Sequence, residues 1–296
     1  MIGPTHKIGI TGGTGLYKLP GLKNIREKKV TTPFGTPSAP LVIGTLGSNE
    51  VVFLARHGAK HSLLPEEINY RANLYALKKT GVTHVVSVSA VGSLQEHIKP
   101  GDMVIADQFF DRTRKDRKDS FFGKGLVVHV AFADPVCPWL RRALLEATKA
   151  AGVVAHDGGT YINMEGPAFS TRAESVVYRT LIGASVIGMT NLTEAKLARE
   201  AELCYSVLAQ VTDYDSWRAH EQGVTISDII ATLQRNNEAG TRILCHLLES
   251  FAPPADCACR HALATAVVTP WDAVPRKTLE AVKLLVAPYL PAGKKR

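Results

Sequence analysis

Short apolar runs, set apart by segments with helical periodicity, constrain this chain more than any other feature of its sequence. Lys7-Ile8-Gly9-Ile10, Val51-Val52-Phe53-Leu54, Val85-Val86-Ser87-Val88, Met103-Val104-Ile105 and Tyr205-Ser206-Val207-Leu208-Ala209 have the length and composition of buried strands. Between them, Leu140, Leu144, Leu145 and Thr148 recur at helical spacing, as do Ile226, Ile229, Ile230, Leu233, Ile243, Leu244 and Leu247, with Thr225 or Ser227 able to cap the longer helix. Strands alternating with helices predict an α/β fold: a mixed, largely buried central sheet flanked by helices, with sites at strand C-terminal ends.

No repeat and no Pro/Gly/Ser-rich linker divides the 296 residues, and a chain 45% hydrophobic can bury one core, so a single domain over 1–296 is expected. The segment from Phe251 to Pro270 is rich in Ala, Pro and Cys. The amphipathic stretch Trp271–Tyr289 after it reads as a C-terminal helix packed on the domain or on a neighbouring subunit. No signal-like segment or membrane-length apolar run appears, which predicts a cytoplasmic protein without membrane partners. The net charge of +8 is scattered and lacks aromatic interleaving, apart from Lys294-Lys295-Arg296, so a solvated basic surface outweighs nucleic-acid binding. Of five cysteines, Cys137, Cys204 and Cys245 sit in apolar surroundings. Cys257-Ala258-Cys259 is spaced too closely for a Cys-x-x-Cys knuckle, leaving a disulfide or two free thiols, and no metal pattern is visible.

Several strand ends carry chemistry. Thr11-Gly12-Gly13-Thr14-Gly15 can bring backbone N–H groups to an anion, yet it is neither a dinucleotide fingerprint nor a P-loop, and a structural turn explains it equally well. Ala55-Arg56-His57-Gly58 offers a guanidinium fork and an imidazole donor for phosphate, against a surface ion pair and a structural histidine as the plain alternatives. Ser87-Val88-Ser89-Ala90-Val91-Gly92-Ser93 combines hydroxyls with room for a ligand, although such small residues also serve close packing. Met164-Glu165-Gly166-Pro167-Ala168-Phe169-Ser170 supplies an aromatic that can stack on a base or fill the core. Ile187-Gly188-Met189-Thr190 adds a thioether and a hydroxyl.

Thr212-Asp213-Tyr214-Asp215 is the most informative segment. Its two carboxylates could hold a metal, act as acid and base, or cap a helix, and capping accounts for at most one of them. A departing purine needs a donor at N7, and a 6-amino group needs an acceptor; one protonated and one ionised carboxyl meet both needs.

Together, Gly12-Gly13-Thr14-Gly15, Ala55-Arg56-His57-Gly58, Glu165-Gly166-Pro167-Ala168-Phe169-Ser170, Met189-Thr190 and Thr212-Asp213-Tyr214-Asp215 resemble the trimeric purine nucleoside phosphorylase family, chiefly its methylthioadenosine-cleaving branch, over residues 7–250. The resemblance implies a single α/β domain around a distorted, barrel-like mixed sheet and a homotrimer. It implies phosphorolysis of methylthioadenosine to adenine and 5-methylthioribose-1-phosphate, with phosphate as co-substrate and neither metal nor organic cofactor. It places Thr14, Arg56, His57, Ser89, Ala90 and Thr190 around phosphate, and Phe169 and Met189 beside base and ribose. Asp213 falls at N7 and Asp215 at the 6-amino group. Ser170 stands where 6-oxopurine-specific relatives carry Glu, Ile226 borders the 5′-substituent, and His129 reaches a neighbouring subunit's site. Some thermophilic relatives carry a Cys-x-Cys disulfide near the position of Cys257 and Cys259. The rival readings are a phosphorylase of adenosine or 6-oxopurine nucleosides and, from a different class, a non-catalytic nucleotide- or nucleic-acid-binding protein.

Overall fold

The computed structural model describes residues 6–13, 19–113, 117–218 and 226–291, with only the backbone for 226–230. Its strands are β1 (His6–Gly12), β2 (Lys23–Lys28), β3 (Leu41–Leu46), β4 (Asn49–Ala55), β5 (His84–Ser93), β6 (Met103–Ile105), β7 (Gln108–Arg112), β8 (Ala155–Asp157), β9 (Thr160–Met164), β10 (Val186–Gly188) and β11 (Cys204–Tyr214). All five apolar runs fall inside strands, and β4 is buried along its whole length. Both faces of these strands are covered, so their sequences run apolar instead of alternating.

The sheet is mixed and forked. One path runs β2-β3-β4-β1-β5-β10-β9-β7, while β11 leaves it at β5 and continues through β6 to β8. β1, β4, β5 and β11 are mutually parallel where they pair, whereas β10 meets the end of β5 antiparallel at Gly92 and Ser93. The two arms end on β7 and β8, so the sheet curls towards a barrel without closing as one. The parallel strands all deliver their C-terminal ends to one edge, which gathers Gly12-Gly13, Arg56-His57 and Thr212–Asp215 there.

The helices are α1 (Tyr70–Lys79), α2 (Pro138–Ala150), α3 (Arg172–Thr180), α4 (Asn191–Glu200), α5 (Ile226–Glu249) and α6 (Arg276–Val286). The apolar stripe of α2 is buried as its spacing requires, with Leu140, Leu144 and Thr148 inaccessible to solvent. α5 begins at Ile226, so Ser227 lies within the helix and does not cap it, and Thr225 lies outside the described residues. The expected helix over 271–289 is shorter. Pro275 precedes the first helical residue, and Ala287–Tyr289 tightens into a 3₁₀ turn. α6 packs on its own domain: Val282, Leu285 and Val286 join the buried cluster that contains Val85, Val207 and Leu41. No helix among the described residues is long and apolar enough to cross a membrane.

Candidate functional site

The gathered strand ends border a cavity of about 550 Å³ lined by Gly13, Arg56, His57, Ser89, Ala90, Gly92, Phe169, Met189, Thr190, Asp213 and Asp215, among others. β5 forms its floor from Val88 to Gly92. Arg56 sits against Val88 O at one end, and Asp213 pairs with Gly92 at the other. Four residue steps along the strand separate the two, roughly 13 Å.

At the Val88 end, Arg56 is buried and tightly held. Its Nε donates to Glu194 Oε1 at 2.6 Å, Nη1 to Val88 O at 3.3 Å, and Nη2 to Thr11 Oγ1 at 3.2 Å and to Ser87 Oγ. Burial opposes its charge, but the Glu194 carboxylate outweighs burial and raises the pKa above the ordinary arginine value. Ser87 Oγ and Tyr205 OH also donate to Glu194 Oε2, at 2.6 and 3.1 Å, which fixes the carboxylate that fixes the guanidinium. This is a placed cation facing a cavity, not a surface ion pair.

His57 donates from Nδ1 to Leu63 O at 2.9 Å and stacks on His61. Burial, and then the charge of Arg56, push its pKa down to about 4. The neutral ring with Nδ1 protonated presents Nε2 as an acceptor, so the expected second donor to phosphate is replaced by a group that takes a hydrogen bond. Thr190 is the N-cap residue of α4 and lines the cavity wall with the positive helix end; its hydroxyl makes no capping bond and only a long one, 3.5 Å, to Asn191 Oδ1. Ser89 Oγ is buried there without a partner among the described residues.

At the Gly92 end, β11 carries a bulge. Val211 pairs with Val91 and Asp213 with Gly92, which leaves Thr212 as the extra residue. Burial, with a smaller contribution from Asp215, raises the Asp213 pKa from 3.8 to about 6, against a hydrogen bond between Thr212 Oγ1 and Asp213 Oδ1 at 2.6 Å. Burial also raises the pKa of Asp215; the nearby Ser175 and Ser170 hydroxyls oppose the rise, yet Oδ2 has no hydrogen-bond partner among the described residues. Ser170 is buried and turns Oγ to Met164 Sδ at 3.8 Å. Phe169 is 73% exposed, so it belongs to the cavity mouth and the core alternative is excluded.

Arg117, which carries no motif signal in the sequence, organises the side wall. Nε donates to Glu165 Oε1 at 2.6 Å, Nη2 to Glu165 O at 2.5 Å, and Nη1 to Met189 O, tying the turn before Phe169 to the strand end at Met189. Glu194, on α4, carries no local signal either, because its partner Arg56 is 138 positions away. Of the other expected residues, only His129 has a described side chain. Thr14 lies outside the described residues, and only the backbone of Ile226 is described, although Leu233 and Asn237 of α5 do line the wall. His129 is exposed away from the cavity, its backbone N–H bonded to Ala266 O.

A buried cation at one end and two pKa-raised carboxyls at the other, in an α/β fold, are the build of a group-transfer enzyme for small polar molecules. The chain belongs to the phosphorylase superfamily, whose profile matches residues 7–249. It is 52% identical over 283 residues to an S-methyl-5′-thioadenosine phosphorylase of Koribacter versatilis, covering 96% of each chain. A Geobacter sulfurreducens protein of the same name is 50% identical over 283 residues, 96% of this chain and 99% of that one. Among solved structures, a methylthioadenosine phosphorylase from an antarctic soil metagenomic library superposes with a TM-score of 0.90 at 45% identity, covering 97% of this chain and 100% of the other. The Schistosoma mansoni methylthioadenosine phosphorylase in complex with adenine gives 0.82 at 34% identity, covering 88% and 98%.

Proposed function

We propose that this enzyme cleaves S-methyl-5′-thioadenosine with phosphate, giving adenine and 5-methylthioribose-1-phosphate. The observation that carries the reading is the pairing, across one cavity, of Arg56 at the anion end with Asp213 and Asp215 at the base end. Phosphate sits between Arg56, Ser89, Ala90, Thr190 and the glycine turn that includes Thr14. A protonated phosphate oxygen donates a hydrogen bond to Nε2 of His57.

As the C1′–N9 bond lengthens, positive charge develops on the ribosyl carbon and phosphate stabilises it before closing the new C–O bond. The electron pair leaves with the purine, and Asp213 delivers its proton to N7. A carboxyl with a pKa of about 6 is protonated in about a tenth of molecules at neutral pH, and an apolar base over it raises that share. Asp215, whose Oδ2 has no partner among the described residues, accepts from the 6-amino group, while Phe169 and Met189 bracket base and ribose. Ser170 leaves no carboxylate to confront that amino group, and the N-terminal end of α5 near Ile226 borders the 5′-substituent.

The test is adenine release from methylthioadenosine with and without phosphate. Release at equal rates would rule out phosphorolysis, and faster turnover of inosine than of methylthioadenosine would favour the 6-oxopurine reading. The same reading makes the enzyme a cytoplasmic homotrimer of purine and methionine salvage, with His129 reaching a neighbour's cavity and phosphate as the only co-substrate. Sedimentation equilibrium checks the assembly.

A further inference from the structure

Four cysteines far apart in sequence meet in space. The sulfurs of Cys137, Cys204, Cys257 and Cys259 all lie within 4.8 Å of one another, and Cys137 Sγ is 3.7 Å from Cys257 Sγ. Each comes from a different local setting. Cys137 is the N-cap of α2, Cys204 opens β11, Cys257 is extended, and Cys259 sits in the 3₁₀ turn Ala258–His261 that follows. The backbone N–H of Cys137 donates to Tyr205 O at 2.8 Å, which locks the first two settings together. All four are free thiols, so the Cys257–Cys259 disulfide suggested by the thermophilic relatives is not formed.

We infer that these four sulfurs form a structural site for one thiophilic divalent cation, Zn²⁺, held as a tetrahedral tetrathiolate. Zn–S bonds of about 2.3 Å at tetrahedral angles put sulfurs about 3.8 Å apart, which the Cys137–Cys257 separation already matches. All four are free thiols, whereas two disulfides would draw two pairs to about 2.05 Å. Cys137, Cys204 and Cys259 are buried and Cys257 is half-buried, all four within one apolar cluster. Binding takes up one Zn²⁺, releases the four thiol protons and involves no oxidant.

The site revises the expectation that the chain holds no metal. It staples the Ala/Pro/Cys-rich segment after Phe251, which contributes two ligands, to the α2–β11 framework, which contributes the other two. It lies at the far end of β11 from Asp213, nine residues or about 30 Å along the strand, so it serves stability and not the reaction.

Purified full-length protein, kept reduced and free of chelators, should carry one zinc per chain by elemental analysis. Cobalt should replace it with thiolate-to-metal charge-transfer absorption. Cys257→Ser, the least buried ligand, should lose most of the zinc and lower the Tm while leaving phosphorolysis unchanged; Cys245→Ser, outside the cluster, should alter neither metal nor Tm. Should Cys257→Ser misfold, titrating chelator-stripped native protein with Zn²⁺ against a chromophoric chelator reads the same site. Failure of the stripped protein to take up one equivalent overturns the proposal, as does peptide mapping that finds the four cysteines paired as disulfides in reduced-handled protein.

Discussion

Asp213→Asn should make the free protein more stable and the enzyme much slower. In the folded chain the carboxyl titrates at about 6 in place of the usual 3.8, because burial penalises its charge. Between those values the native state keeps a proton that the unfolded state has released. The stability it forfeits is therefore nil below about pH 3.8, grows as pH rises through the window, and is complete above about pH 6. Roughly two pKa units correspond to about 3 kcal/mol, an upper bound since the group keeps some solvent contact. Asparagine has the same shape, can accept the Thr212 hydroxyl at Oδ1, and never ionises, so it escapes the penalty. Urea unfolding of both proteins at matched concentration, on either side of the window, should show a gap that opens towards neutral pH in the variant's favour. Over the same change kcat should fall about 10²- to 10⁴-fold, the usual contribution of a general acid. A gap of the same size at both ends of the window would refute the desolvated-carboxyl argument.

Glu194→Gln removes the countercharge of a buried Arg56 and should cost about 3–5 kcal/mol in denaturant unfolding, with a raised KM for phosphate. Asp215→Asn turns an acceptor into a donor, so the kcat/KM ratio of inosine to adenosine should rise about tenfold or more. Gly92→Ala would place a methyl 3.5 Å from Asp213 Oδ2 and 3.3 Å from Asp215 Cβ; with no positive φ to strain, the chain should fold and lose about tenfold in kcat/KM for methylthioadenosine. His57 and His84 both titrate near 4, chiefly through burial, so the unfolded chain binds protons they refuse; the Tm should fall as pH drops from 6.5 towards 4, less so in His84→Gln.

What the sequence revealed followed from how much each signal depends on neighbours in the chain. The five strands read as apolar runs because both their faces are covered, and α2 and α5 show one stripe each. α1 and α4 did not read as helices because they are buried nearly all round: Ala72, Asn73, Leu74, Tyr75, Ala76 and Leu77 leave no polar face to set a period. β7 carries no apolar run, with Phe110 41% exposed, so only its ladder to β9 defines it. The residues that touch the cavity were legible because strand ends concentrate Gly, Ser and charged groups at fixed places. Those that hold them were not, since Glu194 reaches Arg56 across 138 positions and Arg117 reaches Met189 across 72. The cysteine cluster shows the same limit, for only Cys257 and Cys259 are close in sequence.

The bulge at Thr212 makes the base end chemically usable. In an unbroken ladder Thr212 would oppose Gly92 and Asp213 would take the other face of β11, since a one-residue slip reverses every side chain. The extra residue also sets its hydroxyl 3.2 Å from Val91 O and 2.6 Å from Asp213 Oδ1. That hydroxyl has one proton for two acceptors. When Asp213 is ionised, the proton goes to the carboxylate; when Asp213 is protonated, the carboxyl can donate to Thr212 Oγ1, and the hydroxyl proton turns to Val91 O. Either state leaves Thr212 satisfied, so neither the gain nor the loss of the Asp213 proton strands a buried polar group there. A carboxyl that must give a proton to a leaving base and recover it each turnover needs such a neighbour, and the same irregularity that aims the acid supplies it.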